Sequence, residues 1–466
     1  MPKRNLVWIA ATLFAALLAV SFYRWAAAPP AVQRDERLEP LRCLDDLARR
    51  RYYQEVGPEV IEGAMRGYLA ALDPYCRYIP PSHPDYIGRL LRGQASDVGL
   101  RYEIIDGDVV VIGPLPDSPA HRCGLRAGDR VLSIGGEPLT DPSRERIDGL
   151  LAGDGQTPVA LRVVRGGEVL PVELAAAPYR TETVVGLYRD ADGAWEHLVD
   201  PDARIAYVRI AEFANGTADD LDGVMRPLMQ EGLEGLILDL RDNPGGPLVE
   251  AVEVADRFID EGLILLTRGR GMNEERYLAH GPRTYPSMAL VVLINHGTVS
   301  APEVVAGAVR HHRRGTLIGS PTYGKYLIQR PFDLGGDMGG VVLTTGRYYF
   351  AEPPETWEPP EPFARTRPAC EPVGIEPDIA SPVSDLVAQG IAAYRYRAAA
   401  LPAPRDWPST APASAEATDG RLDAILLLDP PLAAAIAHLR QRPSATGVAG
   451  QRGGGEAPAG EQRERR

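Results

Sequence analysis

The sequence predicts an α/β fold with a mixed or parallel sheet, joined to a β-rich module and a short helical region. Strands and helices alternate from about residue 204 to residue 319, which is typical of a sheet covered by helices. Short strands separated by turns occupy residues 97–178. Apolar residues recur at mostly helical spacing between Leu41 and Leu72. Because 466 residues are too many for one hydrophobic core, these three patterns indicate separate domains.

The first 28 residues predict a membrane anchor or a signal segment. Lys3 and Arg4 precede an uncharged stretch, of which residues 6–23 lie near the lower limit of length for a spanning helix, about 17–25 residues. Positive charge before this stretch favours an N-terminus in the cytoplasm. A cleaved signal peptide is the alternative, since residues 26–28 are alanines. We favour a retained anchor, and both interpretations put the following domains in the periplasm or outside the cell.

Sequence pattern and composition predict the structure of the remaining regions and exclude one class of partner. Residues 29–96 predict a linker and a helical cap, and residues 381–442 predict a C-terminal helical region. Residues 443–466 are mainly small and charged, so they cannot bury a core and are predicted to be disordered. The net charge of −13 argues against nucleic-acid binding, which needs a basic face.

Ser300 lies where a predicted strand passes into a predicted helix. Residues 290–294 form an apolar run that ends at the turn signal of residues 295–297. Ser300-Ala301-Pro302-Glu303 then opens a run of small apolar residues. At a helix N-terminus, unpaired N–H groups and the helix dipole favour a developing negative charge. The same four residues also fit a capping box, with Ser300 as N-cap and Glu303 as the N3 residue.

A lysine that could serve as a base follows 25 residues after Ser300. Residues 319–324 form a glycine-bounded turn that leads to Lys325 and a second strand. Alternation along that strand places Lys325, Leu327 and Gln329 on one face. A serine needs a base to become a nucleophile, and a neutral, desolvated lysine can be that base. Lowering a lysine pKa from about 10.4 toward 7 costs roughly 1.4 kcal/mol per unit, which burial and nearby helix N-termini can supply.

A glycine pair follows another predicted strand of the α/β region. The loop of residues 243–246, Asn-Pro-Gly-Gly, comes after the apolar run that ends at Asp239-Leu240. In α/β folds, sites lie at the carboxyl ends of the strands. Paired glycines allow the backbone to approach a ligand closely, although a plain glycine turn is the alternative interpretation.

These segments together resemble the carboxyl-terminal processing proteases, also called tail-specific proteases, which use a Ser–Lys dyad. Two positions depart from the family pattern: Pro302 stands where a second serine is usual, and Tyr326 replaces the usual glycine after the lysine. The resemblance covers roughly residues 40–380. It rests on residues 238–246 and the helix after them, Ser300 to Glu303, Thr322 to Lys325, Gln329, and residues 71–75 with 79–81.

The resemblance implies a serine endopeptidase with a crotonase-like or ClpP-like core in residues 179–380. Ser300 would be the nucleophile, Lys325 the general base, and Gln329 the residue that orients the lysine. A glycine N–H of the loop and the N–H of Ala301 would form the oxyanion hole. The glycines concerned are Gly245 and Gly246. No cofactor and no metal are implied.

Residues 97–178 resemble a PDZ domain of the form found in tail-specific and related envelope proteases. PDZ domains take a peptide by strand addition, and N–H groups of Val98, Gly99 and Leu100 would hold its terminal carboxylate. The implied partners are protein or peptide substrates with exposed C-termini. A PDZ-shaped spacer without a ligand is the alternative, and a homo-oligomer or an activating partner stays open.

The sequence leaves three alternatives to the Ser–Lys hypothesis: one other base and two other functions. His296 is a competing base four residues before Ser300, although the sequence shows no acidic partner for it. An inactive PDZ scaffold is kept open by Pro302 and Tyr326. Another acyl-transfer enzyme on a crotonase-like fold is disfavoured by the PDZ insertion. His311 and His312 lie on different faces of a helix and make a poor metal pair.

Four cysteines allow up to two disulfides in an extracytoplasmic compartment. Cys43 with Cys76 is the most plausible pair, because both lie in the predicted helical cap. Cys123 is predicted to be a free core thiol, and Cys370 is not assigned.

Overall fold

The computed structural model describes residues 36–81, 94–152, 157–271, 273–285, 288–335, 338–351, 374–402 and 418–441. The predicted anchor, Cys370 and the predicted disordered tail lie outside these residues. In the described part, no single helix is long and apolar enough to cross a membrane. Two consecutive helices, Leu422–Leu428 and Pro430–Arg440, reach that length and hydropathy only together and are bent by 112°. The chain divides into two compact units, residues 1–68 and 69–466.

The first unit contains helices where the apolar spacing predicted them. Helix α1 spans Glu39–Arg51, and helix α2 begins at Glu59 and continues to Ala70. Pro40 in the first turn of α1 and three arginines in its last turn suit the ends of a helix.

The PDZ-like region is an antiparallel sheet with its own hydrophobic core. Its main strands are ordered β3-β4-β5-β7-β8, with β6 beside β5, so β3 is an edge strand. Apolar residues of the sheet pack against helix α4, whose Ile147 is fully buried. The elements are β2 (Gln94–Asp97), β3 (Leu100–Ile105), β4 (Asp108–Pro114), α3 (Pro119–Arg122), β5 (Arg130–Ile134), β6 (Glu137–Pro138), α4 (Arg144–Ala152), β7 (Val159–Arg165), β8 (Glu168–Leu174) and β9 (Ala177–Arg180), where β9 pairs with β2.

The main sheet of the second unit has five parallel strands, ordered β14-β15-β18-β19-β22, with β10 and β13 antiparallel to β14. Its strands are β10 (Val184–Val185), β13 (Leu198–Asp200), β14 (Ile205–Ile210), β15 (Gly235–Asp239), β18 (Ala289–Ile294), β19 (Thr316–Gly319) and β22 (Ile379–Ala380). A separate hairpin pairs β11 (Tyr188–Arg189) with β12 (Trp195–Glu196). The predicted mixed sheet of an α/β fold is therefore present.

Helices cover both faces of this sheet. Alternate residues of one strand enter different cores: Leu238 packs with the helices of one face, and Ile237 packs with those of the other. This explains why the central strands are continuous apolar runs rather than alternating ones. The first face carries α5 (Thr217–Gln230), α6 (Leu248–Asp256) and α7 (Ala301–His311); the second carries α9 (Thr418–Leu428) and α10 (Pro430–Arg440), while α8 (Asp385–Ala398) precedes them.

A second, antiparallel sheet supports the lysine segment. Its strands are ordered β1-β21-β16-β17, and β20 also pairs with β21. A bulge interrupts the β20–β21 pairing between Ile328 and Gln329. The strands are β1 (Arg77–Ile79), β16 (Leu263–Arg268), β17 (Glu275–Leu278), β20 (Leu327–Asp333) and β21 (Gly340–Tyr349).

The parallel order of the main sheet positions the site. Strands β15, β18 and β19 are neighbours that run in the same direction, so the loops after Asp239, Ile294 and Gly319 emerge at the same edge. These loops lead to the glycine pair, to Ser300 and to Lys325 respectively. The sheet therefore brings the three predicted segments of the site to one side of the domain.

Candidate active site

Ser300 has a strained backbone conformation immediately before α7. Its φ of 71° and ψ of −111° lie in a region that favours glycine, which costs about 1–3 kcal/mol for other residues. Its N–H donates to Glu303 Oε2 at 2.7 Å. Its carbonyl accepts from the Glu303 N–H at 2.9 Å and from the Tyr348 hydroxyl at 3.3 Å. These bonds stabilise the turn. The bond from the Ser300 N–H to the Glu303 side chain is the one that the predicted capping box requires.

The fully buried carboxylate of Glu303 also holds the loop that carries the lysine. Oε1 accepts from the Thr322 hydroxyl at 2.7 Å and from the Gly324 N–H at 2.5 Å. Oε2 accepts from the Lys325 N–H at 3.1 Å. A buried carboxylate needs several donors to be stable, and here they come from both the serine turn and the lysine turn. The sequence indicated a helix cap at Glu303, and it contained no signal for its contacts with residues 322–325.

Lys325 is half-buried beneath an aromatic ring. Its Nζ lies 4.8 Å from the centroid of the Tyr75 ring. Burial lowers the pKa of Lys325 below its ordinary value, and Arg77 lowers it further, while Glu303 and Asp73 oppose the shift. A lower lysine pKa increases the neutral fraction that a general base requires.

Tyr75 is a site residue that sequence reasoning did not assign. Its hydroxyl donates to the Tyr323 hydroxyl at 3.0 Å, and Asp73 Oδ1 accepts its backbone N–H at 2.7 Å. The turn at Asp73 therefore holds the ring over Lys325. Residues 71–75 contributed to the family resemblance, and this was the signal that could have directed attention to Tyr75.

The glycine loop lies against Ser300, but Gly245 is not free to donate to an oxyanion. The Gly245 N–H donates to Asn243 Oδ1 at 2.9 Å. A Cβ added at Gly245 would lie 3.1 Å from the Ser300 Cβ, and one at Gly246 would lie 2.0 Å from the Phe213 carbonyl oxygen. The close approach explains the glycines. Of the three predicted donors, Gly245 is committed to the Asn243 side chain, which leaves the N–H groups of Gly246 and Ala301.

A buried charge network anchors the strand end before this loop. Asp239 Oδ2 accepts from the Tyr207 hydroxyl, from Arg241 and from Arg395, each at 2.7 Å. Burial would raise the pKa of Asp239, yet the guanidinium groups of Arg241 and Arg395 hold it well below its usual range. Arg241 also binds Asp429 at the start of α10, at 2.8 Å. Sequence reasoning used this segment for the family resemblance only.

Gln329, which the resemblance assigns to orienting Lys325, makes its described side-chain hydrogen bond with another residue. Its Nε2 donates to the Thr344 hydroxyl at 3.3 Å, and the described hydrogen bonds include none between Gln329 and Lys325. Tyr326 has a φ of 44°, and the bulge before Gln329 breaks the regular alternation. The expectation that positions 325, 327 and 329 share a face failed because it assumed an uninterrupted strand from Lys325 onward.

The histidines occupy other environments. His296 is exposed, and its ring lies 5.3 Å from that of Tyr323. No hydrogen bond between His296 and Ser300 is present among the described residues. His312 Nε2 lies 2.8 Å from the Leu263 carbonyl oxygen. Within the described ranges, no group of three or more His, Cys, Asp or Glu side chains is arranged to hold a metal ion.

The predicted Cys43–Cys76 disulfide is wrong, because both cysteines are free. The Cys76 thiol instead donates to Asp73 Oδ2 at 3.4 Å and accepts the Thr344 N–H at 3.4 Å. Cys123 is also a free thiol, as predicted, and is half-buried.

The predicted carboxylate-binding loop of the PDZ domain has an acidic neighbour. Gly99 has a φ of 64°, and an added Cβ would lie 2.1 Å from that of Ser118, so the turn requires glycine. The Gly99 N–H donates to Asp97 Oδ1 at 2.7 Å. The Val98 carbonyl accepts the Ala120 N–H at 2.9 Å. The Gly99 N–H is therefore bonded within the chain. It is one of the three N–H groups, with those of Val98 and Leu100, that are predicted to hold a peptide carboxylate.

The fold and these segments define a peptidase-like α/β core beside a PDZ domain, and comparison with known proteins agrees. Residues 204–380 match the model of peptidase family S41, and residues 110–165 match that of the PDZ domain. A carboxyl-terminal-processing protease of Picosynechococcus sp. is 32% identical over 294 residues, which are 61% of this chain and 67% of that protein. The chain belongs to peptidase family S41, and the predicted resemblance to carboxyl-terminal processing proteases is confirmed.

Two further comparisons describe the extent of the similarity. A carboxy-terminal-processing protease of Bartonella bacilliformis is 31% identical over 296 residues, 62% of this chain and 65% of that protein. The chain thus spans slightly less than two thirds of that relative. A solved structure of a photosystem II D1 C-terminal processing protease has 28% identity and a TM-score of 0.41, covering 73% of this chain and 86% of the other.

Proposed function

We propose that the protein is a serine endopeptidase that cleaves extracytoplasmic proteins and selects them by their exposed C-termini. The observation that carries the proposal is the Glu303 carboxylate, which binds the turn of Ser300 and the turn of Lys325 at the same time. Family membership supports the same chemistry, because the relatives are named carboxyl-terminal-processing proteases.

The mechanism assigns one role to each residue. Ser300 attacks the carbonyl carbon of a peptide bond, while neutral Lys325 accepts the hydroxyl proton and passes it to the leaving amine. The N–H groups of Gly246 and Ala301 stabilise the oxyanion of the tetrahedral intermediate. Water then hydrolyses the acyl-enzyme, with Lys325 again acting as base. Gln329 acts through Thr344, by holding β20 against β21 beside the lysine.

Substrate selection is assigned to the PDZ domain. Its edge strand β3 offers backbone groups to an extended peptide, and the turn at Val98, Gly99 and Leu100 lies at the start of that strand. The N-terminal segment would hold the enzyme at the membrane, with the catalytic domain in the periplasm or outside the cell. A homo-oligomer or an activating partner is compatible with this proposal.

Digestion of an unfolded protein by the full-length chain in detergent tests the activity. We expect fragments from the wild type and none from Ser300→Ala. Ser320→Ala is the matched control, because Ser320 lies on a neighbouring loop and has no role in the mechanism. Equal digestion by the wild type and Ser300→Ala would contradict the proposal.

An inactive peptide-binding scaffold is the second candidate, and one observation favours it. The Tyr75 ring near Lys325 Nζ favours the charged ammonium over the neutral base. A scaffold would bind C-terminal peptides and leave every unfolded protein uncut, so the same digestion separates the two functions.

A further inference from the structure

We propose that the last turn of α8 is an internal ligand of the PDZ domain, which occupies the strand edge that a substrate's C-terminal peptide needs. This inference rests on the proposed function, because it assumes that the PDZ domain takes peptides on β3. The chain would then inhibit its own substrate recognition until a peptide displaces α8.

The contact is made by the hydroxyl of Tyr396 with the backbone of Tyr102. The Tyr102 N–H donates to the Tyr396 hydroxyl at 3.1 Å, and this hydroxyl donates to the Tyr102 carbonyl at 3.3 Å. In an antiparallel pair, the N–H and C=O of one residue both bond the residue opposite. A hydroxyl has one donor and two acceptor sites, so it can satisfy both groups as an added strand would.

The surrounding residues hold the Tyr396 ring between β3 and α4. The guanidinium carbon of Arg101 lies 4.7 Å from the ring centroid, and that of Arg144, at the start of α4, lies 5.4 Å away. Arg397 adds an ion pair with Glu103 of β3, at 2.6 Å and 3.1 Å. Exposed ion pairs are weak individually, so a bound peptide can replace this set of contacts.

The turn before β3, where the carboxylate of a peptide would bind, is also occupied by a side chain of the protein. Asp97 Oδ1 accepts the Gly99 N–H at 2.7 Å and the Tyr179 hydroxyl at 2.8 Å. A carboxylate at this turn takes an N–H that a peptide terminus would use, and its charge repels a second carboxylate. Both the strand edge and the terminal pocket are therefore filled by groups of the protein itself.

The same turn of α8 reaches the loop beside Ser300. Arg395 precedes Tyr396 and binds Asp239 at 2.7 Å and Asp242 at 2.6 Å. Asp242 begins the loop that continues to Gly245 and Gly246. Displacement of Tyr396 by a peptide would therefore disturb a contact of the glycine loop, which links recognition of a tail to the active site.

Packing around this end of α8 is incomplete. A cavity of about 320 Å³ lies among the PDZ domain, the core and α8, with Arg101, Arg209 and Tyr396 in its lining. The buried Nε of Arg101 and that of Arg209 have no hydrogen-bond partner. A tightly packed interior would resist movement of the helix, whereas this space allows α8 to shift without opening a new void.

Peptide affinity measured on the full-length chain tests the proposal. The probe is a fluorescent peptide with an apolar tail and a free carboxylate, and the background is Ser300→Ala so that nothing is cleaved. Tyr396→Phe removes the hydroxyl and keeps the ring. Because the variant loses both hydrogen bonds of the internal contact, peptide binding should tighten by about five- to 100-fold. An amidated peptide should bind more weakly to both proteins.

Tyr394→Phe is the matched control, because it removes a hydroxyl from the same helix that donates to the Leu187 carbonyl, at 2.7 Å, rather than to the backbone of β3. It should leave peptide affinity unchanged. Hydrogen exchange of residues 100–105, followed by mass spectrometry, gives a second measurement. Exchange at Tyr102 should accelerate in Tyr396→Phe and slow again when the peptide binds.

Unchanged or weaker binding in Tyr396→Phe, or binding by neither protein, would overturn the internal-ligand proposal. Neither result depends on proteolysis, since the binding experiment uses an inactive background. A protein that passes this test and digests no substrate would instead contradict the proposed function alone.

Discussion

Ser300 and Lys325 share one hydrogen-bond acceptor: the backbone N–H groups of both donate to Glu303 Oε2, at 2.7 Å and 3.1 Å. The two residues come from different loops, and this single oxygen sets the distance between their backbones. A proton transfer between a serine and a lysine side chain requires such fixed spacing. Glu303 is therefore a positioning residue for the proposed dyad rather than a simple helix cap.

Glu303→Gln should lower kcat by about 10- to 100-fold, because hydrogen bonds to a charged acceptor contribute roughly 1.5–3 kcal/mol. The amide has one oxygen, so at least one buried donor loses its acceptor. Steady-state cleavage of a peptide, together with a thermal melt, measures the effect.

Glu250→Gln is the control for Glu303→Gln. Glu250 also accepts two backbone N–H groups, those of Gly216 and Ala218, at 2.8 Å and 3.2 Å. These lie at the start of α5, and neither belongs to the loop of Ser300 or the loop of Lys325. Equal loss of kcat in the two variants would show that Glu303 acts through general stability alone.

The parts of the site that could be predicted from the sequence are those encoded in short segments. Ser300, Lys325 and the glycine pair each stand beside a strand end, so their approach follows from a parallel sheet. Glu303 could be assigned only as a cap, because its bonds to Thr322 and Gly324 span about 20 residues and depend on tertiary packing. The same limit applies to Tyr396, whose contact with Tyr102 joins distant segments.

Local geometry that departs from the ideal could not be predicted from the sequence. The Gln329 prediction assumed regular alternation, and the left-handed Tyr326 and a bulge interrupt it. Of the two glycines considered for the oxyanion hole, Gly245 donates its N–H to the Asn243 side chain. Side-chain bonds to the backbone within a turn are not encoded in periodicity.

The acid limb of the pH–rate profile should lie below the ordinary lysine pKa of about 10.4, because burial and Arg77 lower the pKa of Lys325. Activity should rise as the pH rises through the folded-state value, since only the neutral amine accepts a proton. Glu303, Asp73 and the Tyr75 ring oppose this shift. A midpoint at or above the ordinary lysine value would contradict the assignment.

Tyr75→Leu should move the acid limb of kcat/KM to lower pH. Leucine keeps the site apolar and removes the aromatic face that stabilises the ammonium, by about 0.5–2 kcal/mol, so the pKa falls by about 0.4–1.5 units. Tyr75→Phe keeps the ring and removes the hydroxyl with its bond to Tyr323, so its midpoint should stay near that of the wild type. Identical profiles for the Leu and Phe variants would show that the ring face has no effect on Lys325.

If the PDZ domain recognises C-termini, the rate of cleavage should depend on the C-terminal tail of the substrate. A substrate with an apolar tail should be cleaved faster than the same substrate ending in Asp-Asp, and amidating the tail should slow cleavage because the carboxylate is lost. Initial rates on the three substrates measure the preference. Equal rates in the intact protein would leave a Ser–Lys peptidase without tail recognition.

Fractionated cells should yield the protein in membranes, with release by detergent and not by high salt, because apolar burial holds a spanning helix. Immunoblots of the fractions and N-terminal sequencing provide the measurement. A soluble form that begins near Ala28 or Pro29 would show that the segment is a cleaved signal.

The Ser–Lys assignment is tested most directly by peptide cleavage in Ser300→Ala, Lys325→Ala, the double variant and His296→Ala. Because the dyad acts as a unit, each single variant should be as inactive as the double one, and their losses should not add. His296→Ala should retain near-normal turnover, since His296 is exposed and its ring lies tilted against that of Tyr323. Near-normal turnover in Lys325→Ala with loss in His296→Ala would contradict the Ser–Lys mechanism.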